Sequence, residues 1–111
     1  MAARSAEFLH GTLDPLILKT LAAGPLHGYA IVRWLEGRTD GVLAIEDGSL
    51  YPALYRLERR GWIEAEWGIS ELGRRVKTYR LSRRGRRELE RETEQWRRFS
   101  GAVSRVLLQP A

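Results

Sequence analysis

Gly48-Ser49-Leu50-Tyr51-Pro52-Ala53-Leu54-Tyr55-Arg56-Leu57-Glu58-Arg59-Arg60-Gly61-Trp62-Ile63 is the stretch whose reading decides the fold. Leu50, Leu54 and Leu57 recur at i, i+4 and i+7, the spacing of one face of an α-helix. Ser49 is the expected N-cap, and Pro52 is expected in the first turn, where its missing N–H costs least. Gly61 is the expected stop. The spacing therefore predicts a helix over residues 49–60. With the three Leu turned inward, Ser49, Tyr51, Pro52, Tyr55, Arg56 and Arg59 are left facing out. A helix with an apolar back and a phenolic, cationic front is built to pack on one side and to meet a polar partner on the other.

Two helices are expected upstream. Asp14-Pro15 places a good N-cap before a residue suited to the first helical position, with Leu16, Ile17 and Leu21 facing inward and Gly24-Pro25 as the stop. Residues 28–37 form a second helix with Ile31, Trp34 and Leu35 as its stripe. Residues 42–45 are apolar and short, consistent with a small strand. Residues 1–11 are mixed and show no period, although Phe8 and Leu9 offer packing surface.

Downstream the period changes from helical to two. In residues 62–67, Ile63, Ala65 and Trp67 alternate with Glu64 and Glu66, which predicts a strand with one buried face. Residues 76–81 read as a second strand, and residues 68–75, with two Gly, as a long hairpin tip. The tip carries Arg74 and Arg75, followed by Lys77 and Arg80. Ser82 then caps a final helix reaching about Leu108. Leu89, Trp96 and Val103 repeat every seven residues there, with Phe99 and Val106 as a second row and Leu107 beside it. Glu92 interrupts the second row, so the seam is consistent only from Trp96 onward. A narrow apolar stripe on a long charged helix calls for a partner helix.

The order helix, helix, helix, hairpin, helix gives a chain that is mainly α with a β-hairpin wing. The expected architecture is a winged helix-turn-helix over residues 1–82 and a long C-terminal dimerisation helix over residues 83–111. At 111 residues the chain accommodates one small domain, and a second copy would add burial that so small a core lacks.

Composition narrows the chemistry. Lys and Arg number 19 against 14 Asp and Glu, for a net charge of +5, and nearly every cation is Arg. Arginine suits phosphate and guanine edges; an Arg-rich surface from a GC-biased genome gives the same count, so charge alone leaves both readings open. There is no Cys, which excludes disulfides, thiol catalysis and Cys-type zinc sites. No apolar run is long enough to span a bilayer and no secretory signal is visible, so a cytoplasmic location without membrane contact is expected.

In a helix-turn-helix the second helix enters the major groove and its early residues reach base edges. That assigns double-stranded DNA as the partner, with Ser49, Tyr51, Pro52, Tyr55, Arg56, Arg59, Arg74, Arg75 and Lys77 as candidate contacts, the last three from the wing. The N-terminus of the recognition helix offers N–H groups to a phosphate. Tyr51 and Tyr55 have a second reading, as packing against the wing. Arg83, Arg84, Arg86 and Arg87 meet phosphates or pair with Glu88, Glu90 and Glu94. The alternative function is a winged-helix protein-interaction module without specific DNA binding; the basic, phenolic front of residues 49–60 favours DNA. Enzymatic chemistry has little footing. His10 and His27 are too far apart for a helical metal pair, neither has a nucleophile placed beside it, and packing or capping accounts for both. No cofactor is implied.

Residues 48–63 resemble the signature of the PadR family of transcriptional regulators. Leu26-His27-Gly28-Tyr29 and the run Lys77-Thr78-Tyr79-Arg80-Leu81-Ser82-Arg83-Arg84-Gly85 resemble that family in the same order. The resemblance covers about residues 9–108. It implies a homodimeric repressor on a pseudo-palindromic operator, of the branch with a single helix after the wing. Dimerisation would fall to Leu89, Trp96, Phe99, Val103, Val106 and Leu107. Some members resembling this branch bind flat aromatic compounds between paired Trp residues, and Trp96 lies where such a residue is expected. Two roles for Trp96 stay open: dimer-core aromatic, or wall for a flat aromatic small molecule. Gly101 inside the last helix departs from the pattern.

Overall fold

The computed structural model describes residues 11–111. Phe8, Leu9 and His10 lie outside the described residues. The elements run α1 (Leu13–Thr20), β1 (Leu26–His27), α2 (Gly28–Arg38), α3 (Asp47–Arg59), β2 (Ile63–Ile69), β3 (Arg75–Leu81) and α4 (Arg83–Leu107). The expected class, mainly α with a wing and a long last helix, is the class observed.

The core sits where α1, α2 and α3 meet the base of the hairpin. Ile17, Leu18 and Leu21 come from α1 and its cap, and Ile31, Val32 and Leu35 from α2. Leu50, Ala53, Leu54 and Leu57 come from α3, and Ile63, Tyr79 and Leu81 from the hairpin. The Leu face of α3 is thus as expected.

Several boundaries differ for physical reasons. Asp14 was expected to cap α1, but Thr12 holds the cap position and Asp14 is in the first turn. Its carboxylate is spent on an ion pair with Arg56 instead. Ser49 was expected to cap α3, but the helix begins at Asp47 after Glu46, whose carbonyl accepts from both Ser49 N and Leu50 N. Pro52 accordingly lies in the second turn. The carbonyl it leaves without its usual donor belongs to Gly48, which is exposed to water. Gly61 does stop the helix, at a φ of 76° that favours glycine.

Residues 42–45 form no strand. The N–H of Leu43 donates to Thr39 Oγ1 (3.1 Å), a local bond that takes the place of a ladder partner, and Ile45 drops into the core. Conversely, Leu26 and His27 form a strand that was not expected. They pair with Tyr79 and Thr78, giving a three-stranded antiparallel sheet ordered β1-β3-β2. Two residues are too few to carry a period.

The hairpin strands are longer and the tip shorter than expected. Pairing continues through Trp67↔Lys77, Gly68↔Val76 and Ile69↔Arg75. The tip closes at Ser70, whose carbonyl accepts from Gly73 N (2.9 Å) and whose N–H donates to the Arg74 carbonyl (2.8 Å).

Ser82 caps α4 as expected, and does more. Its Oγ accepts from Gly85 N (3.0 Å) and donates to the Gly61 carbonyl (2.7 Å), while Ser82 N donates to the Trp62 carbonyl (3.1 Å). These bonds pull the first turn of α4 onto residues 61–62. A Cβ on Gly85 would lie 1.9 Å from the Trp62 carbonyl oxygen, so only glycine fits. Further along, α4 runs beside α1, and Leu89 packs against the chain's own core. Gly101 does not interrupt the helix.

Candidate nucleic-acid interface

The core face of α3 fixes what its other face presents. Tyr51 and Tyr55, one turn apart, are both exposed. Tyr51 lies over the start of α2, where a Cβ on Gly28 would sit 3.2 Å from its Cε1 and Oη atoms. This close approach explains why glycine follows His27. Tyr51 therefore both packs and remains half exposed. His27 is a capping residue, its Nδ1 accepting from Ala30 N (3.3 Å). Arg59 stands over the Tyr55 ring at 5.7 Å, with Nη1 3.4 Å from the phenol oxygen. Ser49 and Pro52 are exposed in the first two turns.

Arg56 departs from expectation. It grips Asp14 with two bonds, Nη2 to Oδ1 at 2.5 Å and Nε to Oδ2 at 3.4 Å. The hydrogen bond to Asp14 pushes its pKa up. Arg60 reaches the same carboxylate at 3.9 Å. The Arg56 fork thus ties α3 to α1 and is taken up by the fold before any ligand arrives. The N-terminus of α3, expected to offer N–H groups to a phosphate, carries Glu46 and Asp47, which complement the helix dipole themselves.

The wing carries further cations. Arg74 and Arg75 are exposed at and beside the tip. Arg75 stands 4.6 Å over the Trp67 ring, and Lys77 lies 5.9 Å from that ring and 5.6 Å from Tyr79. Lys77 also bonds Glu58 of α3 (3.3 Å), which fastens the wing to that helix. Burial pushes the Tyr79 phenol up, and Lys77 partly offsets this. On the opposite face of the sheet Arg80 pairs with Glu64 (3.1 Å) and Glu66 (3.5 Å), so that face is close to neutral.

Trp67 corrects the strand reading. It continues the row of Ile63 and Ala65 yet is 56% exposed, because the hairpin projects past the core. Its exposure had no signal in the alternation pattern; the residues that shape this surface and were not singled out for it from sequence are Trp67, Asp14 and Glu58.

On α4, Trp96, Phe99, Val106 and Leu107 are exposed, and Val103 is 36% exposed. The Trp96 and Phe99 rings lie 6.3 Å apart at 44°. Leu89, expected in this row, is instead taken up by the core of its own chain. The expected pairing of the first Arg cluster is also different: Glu88 pairs with Arg91 and Glu94 with Arg97. Among the described residues no group of acidic and imidazole side chains is arranged to hold a metal ion, and no helix is long and apolar enough to cross a membrane.

Comparison with known proteins bears on this arrangement. The model of the transcriptional regulator PadR-like family matches residues 17–91. A transcriptional regulator from Clostridium thermocellum is 28% identical, with a TM-score of 0.83, and the match covers 91% of this chain and 98% of that one. A PadR family transcriptional regulator from Eggerthella lenta is 32% identical, with a TM-score of 0.80, over 97% of this chain and 92% of its own. Bacillus subtilis PadR, solved in complex with operator DNA, is 27% identical with a TM-score of 0.67 over 73% of this chain and 46% of its own. Fold, motif order and these matches agree: the chain belongs to the PadR-like family of transcriptional regulators.

Proposed function

We propose that the chain is a homodimeric, sequence-specific DNA-binding repressor acting on a pseudo-palindromic operator. The observation that carries this reading is the shared face of α3 and the wing. Tyr51, Tyr55 and Arg59 are exposed on the helix, and Arg74, Arg75 and Lys77 lie on the hairpin that Lys77 fastens to it. The operator complex of the related Bacillus subtilis protein supports the choice of DNA. Residues 1–82 form the reading unit and residues 83–111 the pairing unit. Ser49, Tyr51, Pro52, Tyr55 and Arg59 address the major groove, and Arg74, Arg75 and Lys77 the flanking backbone. Arg56, 44% exposed, reaches the backbone only by exchanging Asp14 for a phosphate.

Pairing uses Trp96, Phe99, Val103, Val106 and Leu107. A stripe this apolar on a helix of roughly 37 Å is stable in water only when covered. Pairing sets two recognition helices about 34 Å apart, one turn of DNA. A flat aromatic molecule seated against Trp96 at this interface releases the operator, provided it binds one spacing of the two subunits better than the other.

Selection from a pool of random duplexes tests the reading. The expected product is a two-fold site with half-sites about one DNA turn apart, bound by two chains. Enrichment of a single asymmetric site by one chain, or of nothing, refutes the dimeric operator reading.

A further inference from the structure

The wing has a face that the candidate contacts above do not use fully. Residues opposite each other in an antiparallel pair share a face, and that face alternates along each strand. Ile63↔Leu81 and Ala65↔Tyr79 put one row of the hairpin against the core. The next pairs in that row are Trp67↔Lys77 and Ile69↔Arg75, and they extend past it. Trp67 is 56% and Ile69 70% exposed. Lys77 of this row bonds Glu58, so the row faces the side where α3 lies.

Two aspects of this face stand out. Trp67 and Ile69 adjoin on one face near the hairpin tip, and contiguous exposed apolar surface marks a contact site. They also stand beside cations across the ladder: Arg75 over the Trp67 ring at 4.6 Å and Lys77 at 5.9 Å. The apolar side chains lie along β2 and the cations along β3, so the face pairs an apolar row with a cationic one. A DNA backbone offers a partner for each, apolar deoxyribose faces next to phosphates.

We infer that Trp67 is a DNA-backbone contact residue: its ring takes a deoxyribose face while positioning Arg75 and Lys77 on the neighbouring phosphates. The inference rests on the proposed DNA-binding function and assigns to it a residue outside the recognition helix and the wing-tip cations. A second copy of the chain is the other candidate occupant, but a like-charged copy would bring cations against Arg75 and Lys77, which disfavours it. On docking, Lys77 exchanges Glu58 for a phosphate. Arg75 keeps its place over the ring, so less side-chain freedom is lost on binding. Because sugars and phosphates are the same at every base pair, the contact adds affinity without selectivity.

The test is a double-variant cycle on Trp67 and Arg75, read by titration of two duplexes, one selected by the wild-type protein and one of random sequence. Trp67→Ala is expected to weaken both duplexes about tenfold and to leave their ratio unchanged. Trp67→Phe, which keeps an aromatic face, recovers most of the loss. In combination with Arg75→Ala the losses are less than additive, since Arg75 acts from the Trp67 ring. The side chain is more than half exposed, so the thermal midpoint stays within a few degrees of wild type. Wild-type selectivity with Trp67→Ala binding both duplexes within twofold overturns this inference alone. If selection by the wild type enriches no duplex and the random duplex is not bound, the DNA-binding function falls with it. If Trp67→Ala leaves DNA affinity intact but alters the sedimenting mass, the face belongs to a second copy and the inference is overturned.

Discussion

Gly85→Ala replaces a hydrogen by a methyl group at the tightest glycine position among the described residues. The new Cβ would meet the Trp62 carbonyl oxygen at 1.9 Å, the Trp62 carbonyl carbon at 2.9 Å and Leu81 Cδ1 at 2.7 Å. Two of these contacts are backbone, so relief requires α4 to lift off residues 61–62. The lift stretches the Ser82 cap on Gly85 and the bond from Ser82 Oγ to the Gly61 carbonyl. Losing an N-cap costs about 1 kcal/mol. The second bond costs about 1 kcal/mol more, and overpacking adds about 1–3 kcal/mol. Alanine returns at most about 1 kcal/mol through helix propensity. The net is a destabilisation of about 2–4 kcal/mol. For a domain of this size that lowers the thermal midpoint on the order of 10–20 °C. Circular dichroism melts at one fixed chain concentration measure it, because the proposed pairing would make the midpoint depend on concentration. A midpoint equal to or above wild type would refute the claim that Gly85 is set by the approach of α4 to the Trp62 carbonyl.

Three further outcomes are expected. Burial, with Glu88 and Asp14 nearby, pushes the Glu92 carboxyl up despite Arg91 and Arg60, and its Oε2 is buried with no hydrogen bond. A carboxyl raised in the folded state binds its proton more tightly there, so its charge costs stability at neutral pH; the cost shrinks as pH falls below its folded value and is gone below the ordinary carboxylate value. Glu92→Gln should therefore stabilise at pH 7 by roughly 0.5 kcal/mol, after allowance for solvent screening of a partly exposed side chain. The gain should vanish in melts at acidic pH; a gain that persists there contradicts the assignment. Asp14→Asn should cost about 1 kcal/mol in urea unfolding by releasing the Arg56 fork, and Arg56→Met should add little to it. Val103→Glu should yield a folded monomer at micromolar concentration by sedimentation, with its melt no longer dependent on concentration.

Sequence carried the elements with a strong period and lost those settled by single contacts. The Leu face of α3, the Ser82 cap and the length of α4 follow from spacing and cap chemistry, which are local. The start of α3 at Asp47, two residues before the expected cap, follows from the Glu46 carbonyl accepting two N–H groups, and Ser49 is a good cap that the chain does not use. β1 was invisible because two residues have no pattern, and its existence depends on β3 fifty residues away. At the candidate interface, Tyr51, Tyr55 and Arg59 were legible from the helical wheel. Arg56 sits on the same side of that wheel, but Asp14 takes it, and no local rule joins residues so far apart. Trp67 was assigned to a buried row because alternation gives the face of a strand and not the point at which the core ends.

Whether α3 and the wing read DNA sequence is decided by binding of the wild-type protein and Tyr51→Ala to the DNA upstream of the protein's own gene and to random duplex, across a series of salt concentrations. The wild type should prefer its own upstream DNA, and log affinity should fall linearly with log salt, by about 0.9 for each phosphate neutralised. Tyr51→Ala should lose roughly tenfold of the preference and keep its affinity for random duplex. A wild-type protein that shows no preference at any salt would contradict the account and bring the protein-interaction reading of this winged helix to the front.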